Sequence, residues 1–378
     1  MTSQGSYRAQ LRLPRMAERP VLEALAAATS EAAIEATGTG WQLNHPFGLI
    51  ALEPQPSDIQ IRLDAEDRTS LAYLQLGISH RLQSLDKAIA LDWESDNTPG
   101  MLLPYFREMK VVSAQNVTPG MKRVRLAGED LKRFSHDGLH IRLLFPPENA
   151  AAPSWPRLGM NGEAVWTDDD NSPVARVYTI RAIDVERGFV DVDMVLHEGD
   201  ACPGAGWAAR AAPGDIVGMT GPGGGEPQKA HKLILLGDET ALPAIGRILE
   251  GLPCETRAIV RVEIANAAEK QELATRADLD LEWLLRDGRE PGTATLLPDA
   301  AKALPISGSD PDLFVWGRVR VRRIQGHSRA CAQDVTVAER AAPRRFLLAA
   351  WRGRRALGAF TAHDNSKNAA MRPSRRSY

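Results

Sequence analysis

Cysteine is scarce: the 378 residues hold three, Cys202, Cys254 and Cys331. Their wide spacing excludes a zinc cluster and a disulfide framework, and a reducing compartment is the simpler expectation. Long apolar runs are also missing, so no segment reads as a bilayer span. The first twenty residues carry Arg8, Arg12, Arg15 and Arg19 without an apolar stretch, and therefore lack a secretory signal. Charge of one sign is not in excess. A formal net charge of −2 gives no global argument for nucleic acid, so any anion site must be local. The basic C-terminal stretch, from Arg344 to Arg376, reads as a solvated tail.

What remains is a soluble composition, 43% hydrophobic and 25% charged, in a chain long enough for two or three domains. Residues 19–95 mix helix and strand patterns and predict a small α+β domain. Leu22–Ala36 is Ala-rich and reads as a helix. Leu71, Leu74, Ile78 and Leu82 keep the spacing of a second one. Leu49–Leu52 and Ile59–Leu63 read as strands between them. Ser95–Gly100 is dense in turn formers and reads as a linker. Residues 106–228 carry short strands broken by Pro and Gly, among them His140–Phe145 and Ala175–Ile180, and predict an antiparallel β-barrel. From 230 to 378 the character changes. Lys232–Leu236 is nearly continuous in apolar residues, a helix follows over Leu242–Leu249, and Ala258–Ile264 is the next buried strand. That β-α-β alternation predicts a parallel, nucleotide-binding α/β sheet.

Four motifs carry chemistry. Arg176-Val177-Tyr178-Thr179 sits on a barrel strand. His197 to Ala208 is a Gly/Pro loop opening a helix, whose free N–H groups suit a phosphate and whose small residues allow close backbone approach. Pro213-Gly214-Asp215 is a turn. Gly237-Asp238-Glu239-Thr240-Ala241-Leu242-Pro243-Ala244-Ile245 joins a buried strand to a helix. Taken one at a time, each also fits an ordinary strand or turn. In this order they resemble the siderophore-interacting family of ferric reductases, over about Phe106 to Phe314. The first segment resembles a small domain of unknown function found ahead of such proteins, through Trp41, His45-Pro46-Phe47-Gly48, Asp67 and His80-Arg81-Leu82.

The resemblance implies a ferredoxin-reductase-like pair of domains, one holding FAD and one holding NADPH or NADH. It implies that Arg176 pairs with the flavin pyrophosphate, a bidentate task suited to guanidinium. Tyr178 would pack on the flavin ring and Thr179 would bond its polar edge. His197, Pro203, Gly204, Ala205 and Trp207 belong to the flavin loop, where Ala205 replaces a more usual serine and removes one hydroxyl contact. Asp238, Glu239, Thr240 and Ala241 would meet the nicotinamide cofactor. Arg142 stands where the family has a lysine thought to face an anionic ferric siderophore, although a surface arginine on an edge strand explains it equally well. No protein metal site is expected, because iron arrives inside the chelate. The implied activity is NAD(P)H-dependent reduction of ferric siderophores by a cytoplasmic monomer. A general flavin or ferredoxin-linked reductase, or a catalytically impaired siderophore-binding protein, stays open. Glu263, Asn266 and Lys270 leave the choice between NADH and NADPH open.

Beyond Trp316 the resemblance stops. Gly317 to Arg329 is arginine-rich where relatives have an Ala-rich helix. Read one base out of frame, its degenerate codons spell a string like that helix, so a local frame slip over about residues 317–338 is inferred. Arg318, Arg320, Arg322, Arg323 and Arg329 are expected to stay in water, leaving the stretch poorly packed.

Overall fold

The computed structural model describes residues 6–340 apart from 15–16, 27–33, 137, 149–151, 168–170, 197–202, 225–229, 305–311 and 322–332; for 318–321 and 333–340 it describes the backbone only. The chain forms two compact units. Of the described residues, those up to 104 and 156–167 make the first; 105–155 and 168–340 make the second.

The first unit is an antiparallel sheet backed by helices. Its strands are β1 (Tyr7–Pro14), β2 (Ile34–Thr37), β3 (Gly40–His45), β4 (Gly48–Pro54), β5 (Asp58–Ala65) and β6 (Glu94–Ser95), in the order β2-β3-β4-β5-β1-β6. The helices are α1 (Glu18–Ala26) and α2 (Arg68–Leu85). Leu71, Leu74, Ile78 and Leu82 of α2 are all buried against Leu11, Leu13, Ile61 and Leu63, as the helical spacing predicts. Asp67 caps α2, its carboxylate accepting from the Ser70 N–H at 2.8 Å. Two expectations need correction. Ile34–Ala36 continues no helix: it is strand, paired with β3 across a Gly38-Thr39 turn. The 95–100 stretch is no free linker either. Glu94–Ser95 pairs with β1, and Asn97 is buried, donating to the Arg68 carbonyl at 2.9 Å.

In the second unit an antiparallel sheet precedes a mostly parallel one. The antiparallel sheet comprises β7 (Phe106–Thr118), β8 (Met121–Ala127), β9 (His140–Phe145), β12 (Val174–Thr179), β13 (Ala182–Asp184), β14 (Phe189–Val195) and β15 (Ile216–Gly223). A short hairpin of the first unit, β10 (Arg157–Leu158) and β11 (Ala164–Val165), interrupts them in the chain. The order is β12-β9-β15-β7-β8-β14-β13. Its two end strands, β12 and β13, are consecutive in the chain, joined by Ile180 and Arg181. Met109, Val124, Phe134, Ile141, Leu143, Val192 and Met219 fill the core it encloses, with α3 (Pro203–Arg210) alongside.

The second sheet runs β18-β17-β16-β19-β20, with β16 (Lys232–Asp238), β17 (Arg257–Ile264), β18 (Asp278–Leu285) and β19 (Leu313–Val321) parallel. Helices α4 (Leu242–Glu250) and α5 (Leu296–Ala303) flank it. Leu233 to Leu236 are buried on both faces, which accounts for the continuous apolar run.

In the arginine-rich stretch the described backbone is strand, and the expected poor packing of its side chains lies outside the described residues. Gly317–Val321 extends β19, paired with β16 through Arg318, and β20 (Gln333–Arg340) returns antiparallel to it. Gly-Arg-Val-Arg-Val and Asp-Val-Thr-Val alternate with the period of a strand, a pattern that fits neither a loop nor a helix. The rest of the suspected frame slip, 322–332, lies outside the described residues.

Candidate functional site

Tyr178 and Thr179 end β12, the strand at the rim of the antiparallel sheet. Among the described residues β12 pairs only with β9, which sets Arg176 opposite Leu143 and Thr179 opposite His140. The Thr179 hydroxyl lies 3.3 Å from His140 Nδ1, both side chains buried. Tyr178 is half-buried and meets Phe145 edge-on, ring centroids 6.0 Å apart, and Phe145 in turn packs on Trp207 of α3 at 5.1 Å. Arg176 is half-buried, its Nη1 donating to the Ala175 carbonyl at 2.8 Å.

Helix α3 starts at Pro203, whose missing N–H costs nothing at a helix start. Gly204 leaves room for Tyr178. A Cβ there would stand 2.0 Å from the Tyr178 hydroxyl, so the tyrosine lies directly against the first turn of α3. Arg176, Tyr178, Thr179, Pro203, Gly204, Ala205 and Trp207 are thus carried by two adjoining elements. His197 lies outside the described residues. Gly204→Ala is expected to displace Tyr178, seen as altered tyrosine and flavin fluorescence with the fold retained by circular dichroism. An unchanged spectrum would mean that the hydroxyl relocates freely.

Arg142 lies on β9, which is paired on both sides, to Val177 of β12 and Thr220 of β15. The edge-strand explanation for this arginine is therefore withdrawn: β9 is an interior strand and Arg142 is half-buried.

The second cluster sits where the parallel sheet changes direction. From β16 the chain builds outward to β17 and β18, then returns to β19 on the other side of β16. Asp238–Ala241 lies at the carboxyl end of β16, the crevice in which open α/β sheets take their ligands. The Asp238 carboxylate is buried and accepts from the Thr240 backbone N–H (2.9 Å) and hydroxyl (2.5 Å), fixing the loop that leads into α4. Ala241 is fully buried at the helix start. Glu239 faces inward. It forms a two-pronged pair with Arg286, both contacts 2.7 Å, and Glu263 reaches the same guanidinium at 3.4 Å. Glu239 is therefore engaged within the protein and does not offer its carboxylate outward. Burial, with Asp238 and Glu239 nearby, raises the Glu263 pKa in spite of Arg286. Burial acts against the Arg286 cation, but the bond to Glu239 and the two carboxylate charges outweigh it and raise its pKa.

Residues 110–226 match the family of siderophore-interacting FAD-binding domains, and residues 230–340 match the siderophore-interacting protein family. This chain belongs to the siderophore-interacting protein family. Ferric vibriobactin reductase ViuB of Vibrio cholerae is 32% identical over 240 residues, covering 61% of this chain and 86% of that protein. The NADPH-dependent ferric-chelate reductase of Escherichia coli is 29% identical over 220 residues, 56% of this chain and 80% of that protein. A siderophore utilization protein from T. fusca is a structural neighbour at 34% identity, covering 58% of this chain and 83% of that one, with a TM-score of 0.47. The family match reaches residue 340 and so includes the arginine-rich β19 extension and β20. Among the described residues no helix is long and apolar enough to cross a membrane.

Sequence reading missed two arginines of this site, Arg286 and Arg181. Each pairs with a partner distant in the chain, and no local pattern marks it.

Proposed function

We propose that this siderophore-interacting protein is an FAD-dependent reductase that passes electrons from NADPH or NADH to the iron of a ferric siderophore, in the cytoplasm and as a monomer. The observation that carries this reading is the pairing of two sites in one unit: the Arg176–Thr179 strand against α3, and the Asp238–Ala241 loop at the switch point. The two family matches, over residues 110–226 and 230–340, take in one site each. The antiparallel sheet, whose end strands adjoin in the chain, is read as the flavin barrel over residues 106–228. The parallel sheet from 230 onward is read as the nicotinamide domain, and residues 19–95 as the core of a separate α+β domain.

The donor set fits FAD. Arg176 brings a fork of N–H donors for a pyrophosphate, Thr179 a hydroxyl, Tyr178 a flat aromatic face, and α3 the N–H groups of Gly204, Ala205 and Gly206. Bound FAD supplies the exchange between a two-electron hydride donor and one-electron acceptors. One nicotinamide thus serves two ferric chelates. Hard oxygen ligands hold ferrous iron far less tightly than ferric iron, so reduction releases it. Thr240 and the α4 N-terminus orient the nicotinamide cofactor. Arg142 attracts the anionic chelate. No side chain has to move a proton, and the protein acts by placement and electrostatics.

The test is anaerobic stopped-flow. Flavin absorbance should bleach on mixing with NADPH or NADH and return on adding a ferric catecholate, with ferrous iron trapped by a chromogenic chelator. A purified protein that takes up no FAD, or whose reduced flavin ignores ferric chelates, overturns the reading. Arg142→Glu should slow the second phase several-fold more than the first, with the deficit shrinking at high salt. Equal slowing of both phases would remove Arg142 from substrate contact.

A further inference from the structure

Arg181 is one of the two residues that join β12 to β13, directly after the strand bearing Arg176, Tyr178 and Thr179. Its guanidinium reaches α4. Nη1 and Nη2 donate to the two carboxylate oxygens of Glu250 at 3.0 and 2.6 Å, a bidentate pair at the last residue of the helix. One turn earlier, Gly246 lets the fork lie against the helix. A Cβ there would stand 3.3 Å from Arg181 Nε and 3.4 Å from its central carbon. Arg247 adds a third contact, its Nη1 donating to the carbonyl of Ile180 at 3.2 Å. Both residues of the connector are thus held by the same helix.

The other end of the tie is anchored as firmly. The Arg181 backbone N–H donates to the Asp191 carbonyl at 2.8 Å and that of Ile180 to the Leu139 carbonyl at 3.0 Å. Arg181 Nε stands 3.9 Å from Asp193, whose side chain is 1% exposed and held by both prongs of Arg123 at 2.6 and 2.8 Å. Two guanidinium groups and two carboxylates balance, so no charge is left alone at this contact. The Arg181 side chain is 15% exposed and that of Glu250 41%, so the pair is covered on the arginine side only.

Helix α4 begins where the Asp238–Ala241 loop ends. It therefore has the nicotinamide loop at its start and the Arg181 tie at its end, nine residues later. We infer that Arg181 is a positioning residue: it locks the strand that holds the flavin to the helix that carries the nicotinamide loop, and so sets the approach of the hydride donor. The inference rests on the proposed function, because it concerns the distance between two bound cofactors. It adds a residue that touches neither of them. Transfer between two held reactants is steep in geometry, and a misplacement of about 1 Å costs on the order of a hundredfold.

The experiment uses the full chain loaded with FAD. In Arg181→Met the rate constant for flavin reduction at saturating nicotinamide should fall about tenfold or more. Flavin content, the nicotinamide dissociation constant and reoxidation by ferric chelate should stay within about twofold, and Arg181→Lys should recover part of the loss. Glu250→Gln, which changes a half-exposed group, should reproduce the slow reduction. A double-mutant cycle of the two in urea unfolding should be non-additive, because either change alone breaks the same pair. Unchanged reduction in flavin-loaded Arg181→Met, or a strictly additive cycle, overturns the inference alone. Failure of the unmutated protein to take up FAD overturns the proposed function and the inference with it.

Discussion

Replacing Arg286 by Met is expected to destabilise the protein by about 3–5 kcal/mol at neutral pH, a loss read by urea unfolding. The guanidinium is 3% exposed and is the cation that faces both Glu239 and Glu263 at the carboxyl ends of β16 and β17. Glu263 is itself 4% exposed, and Asp238 lies close by at 6%. Removing the cation takes the charged partner from Glu239 and Glu263 in a place that water reaches poorly. The pH dependence gives the sign. A carboxyl whose folded pKa is raised binds its proton more tightly in the folded state, so protonation favours folding. Its contribution is present at low pH and is lost as pH rises through the folded pKa. Glu263 is already raised in the intact protein, and removing Arg286 should raise it further. The deficit of Arg286→Met should therefore be clearly smaller at pH 5 than at pH 8. Arg286→Lys, which keeps the charge without the fork, should fall between. A loss under about 1 kcal/mol, equal at both pH values, would show that the cluster is hydrated and the triad incidental.

The same residues show where sequence reading reaches and where it stops. Lys232–Leu236 is legible because a strand covered on both faces has no polar face to confuse it; Gly237 and Asp238, which read as the start of the loop, still belong to the strand. β1 was not read, although Tyr7–Pro14 alternates well. Its arginines drew attention as charge, while Ala9, Leu11 and Leu13 on the opposite face are buried. The Ala-rich stretch after Ala26 carries helix propensity, but Ile34–Thr37 forms a hairpin with β3 because its pairing outweighs a weak local preference. The stretch after Trp316 was judged against the helix that relatives have there, and its own period-two alternation was passed over. Arg181 and Arg286 mark a stricter limit. Their partners lie 69 and 47 residues away, and only the fold brings them together.

Arg176→Ala should weaken FAD binding by about 1.5–3 kcal/mol, or roughly 10- to 150-fold in dissociation constant. Arg176 projects from a rim strand, half-buried, two residues before the tyrosine that rests on Gly204. In the proposed role a guanidinium there would meet an anionic pyrophosphate with two parallel charge-assisted bonds, which a single ammonium cannot duplicate, so Arg176→Lys should recover only part of the affinity. The α3 amides remain in the variant, and binding should be weakened without being abolished. The loss should grow less as salt is raised, since the charged part of the contact is screened while the aromatic packing is not. Titrating FAD into flavin-free protein and following the quenching of flavin fluorescence measures all three quantities. The variant has to remain folded for the comparison to count. Arg176 contributes no buried ion pair among the described residues, so the flavin-free variant should unfold within about 1 kcal/mol of the flavin-free parent. Flavin affinity unchanged in a folded Arg176→Ala would remove Arg176 from the cofactor site and leave the α3 turn as the anion-binding element.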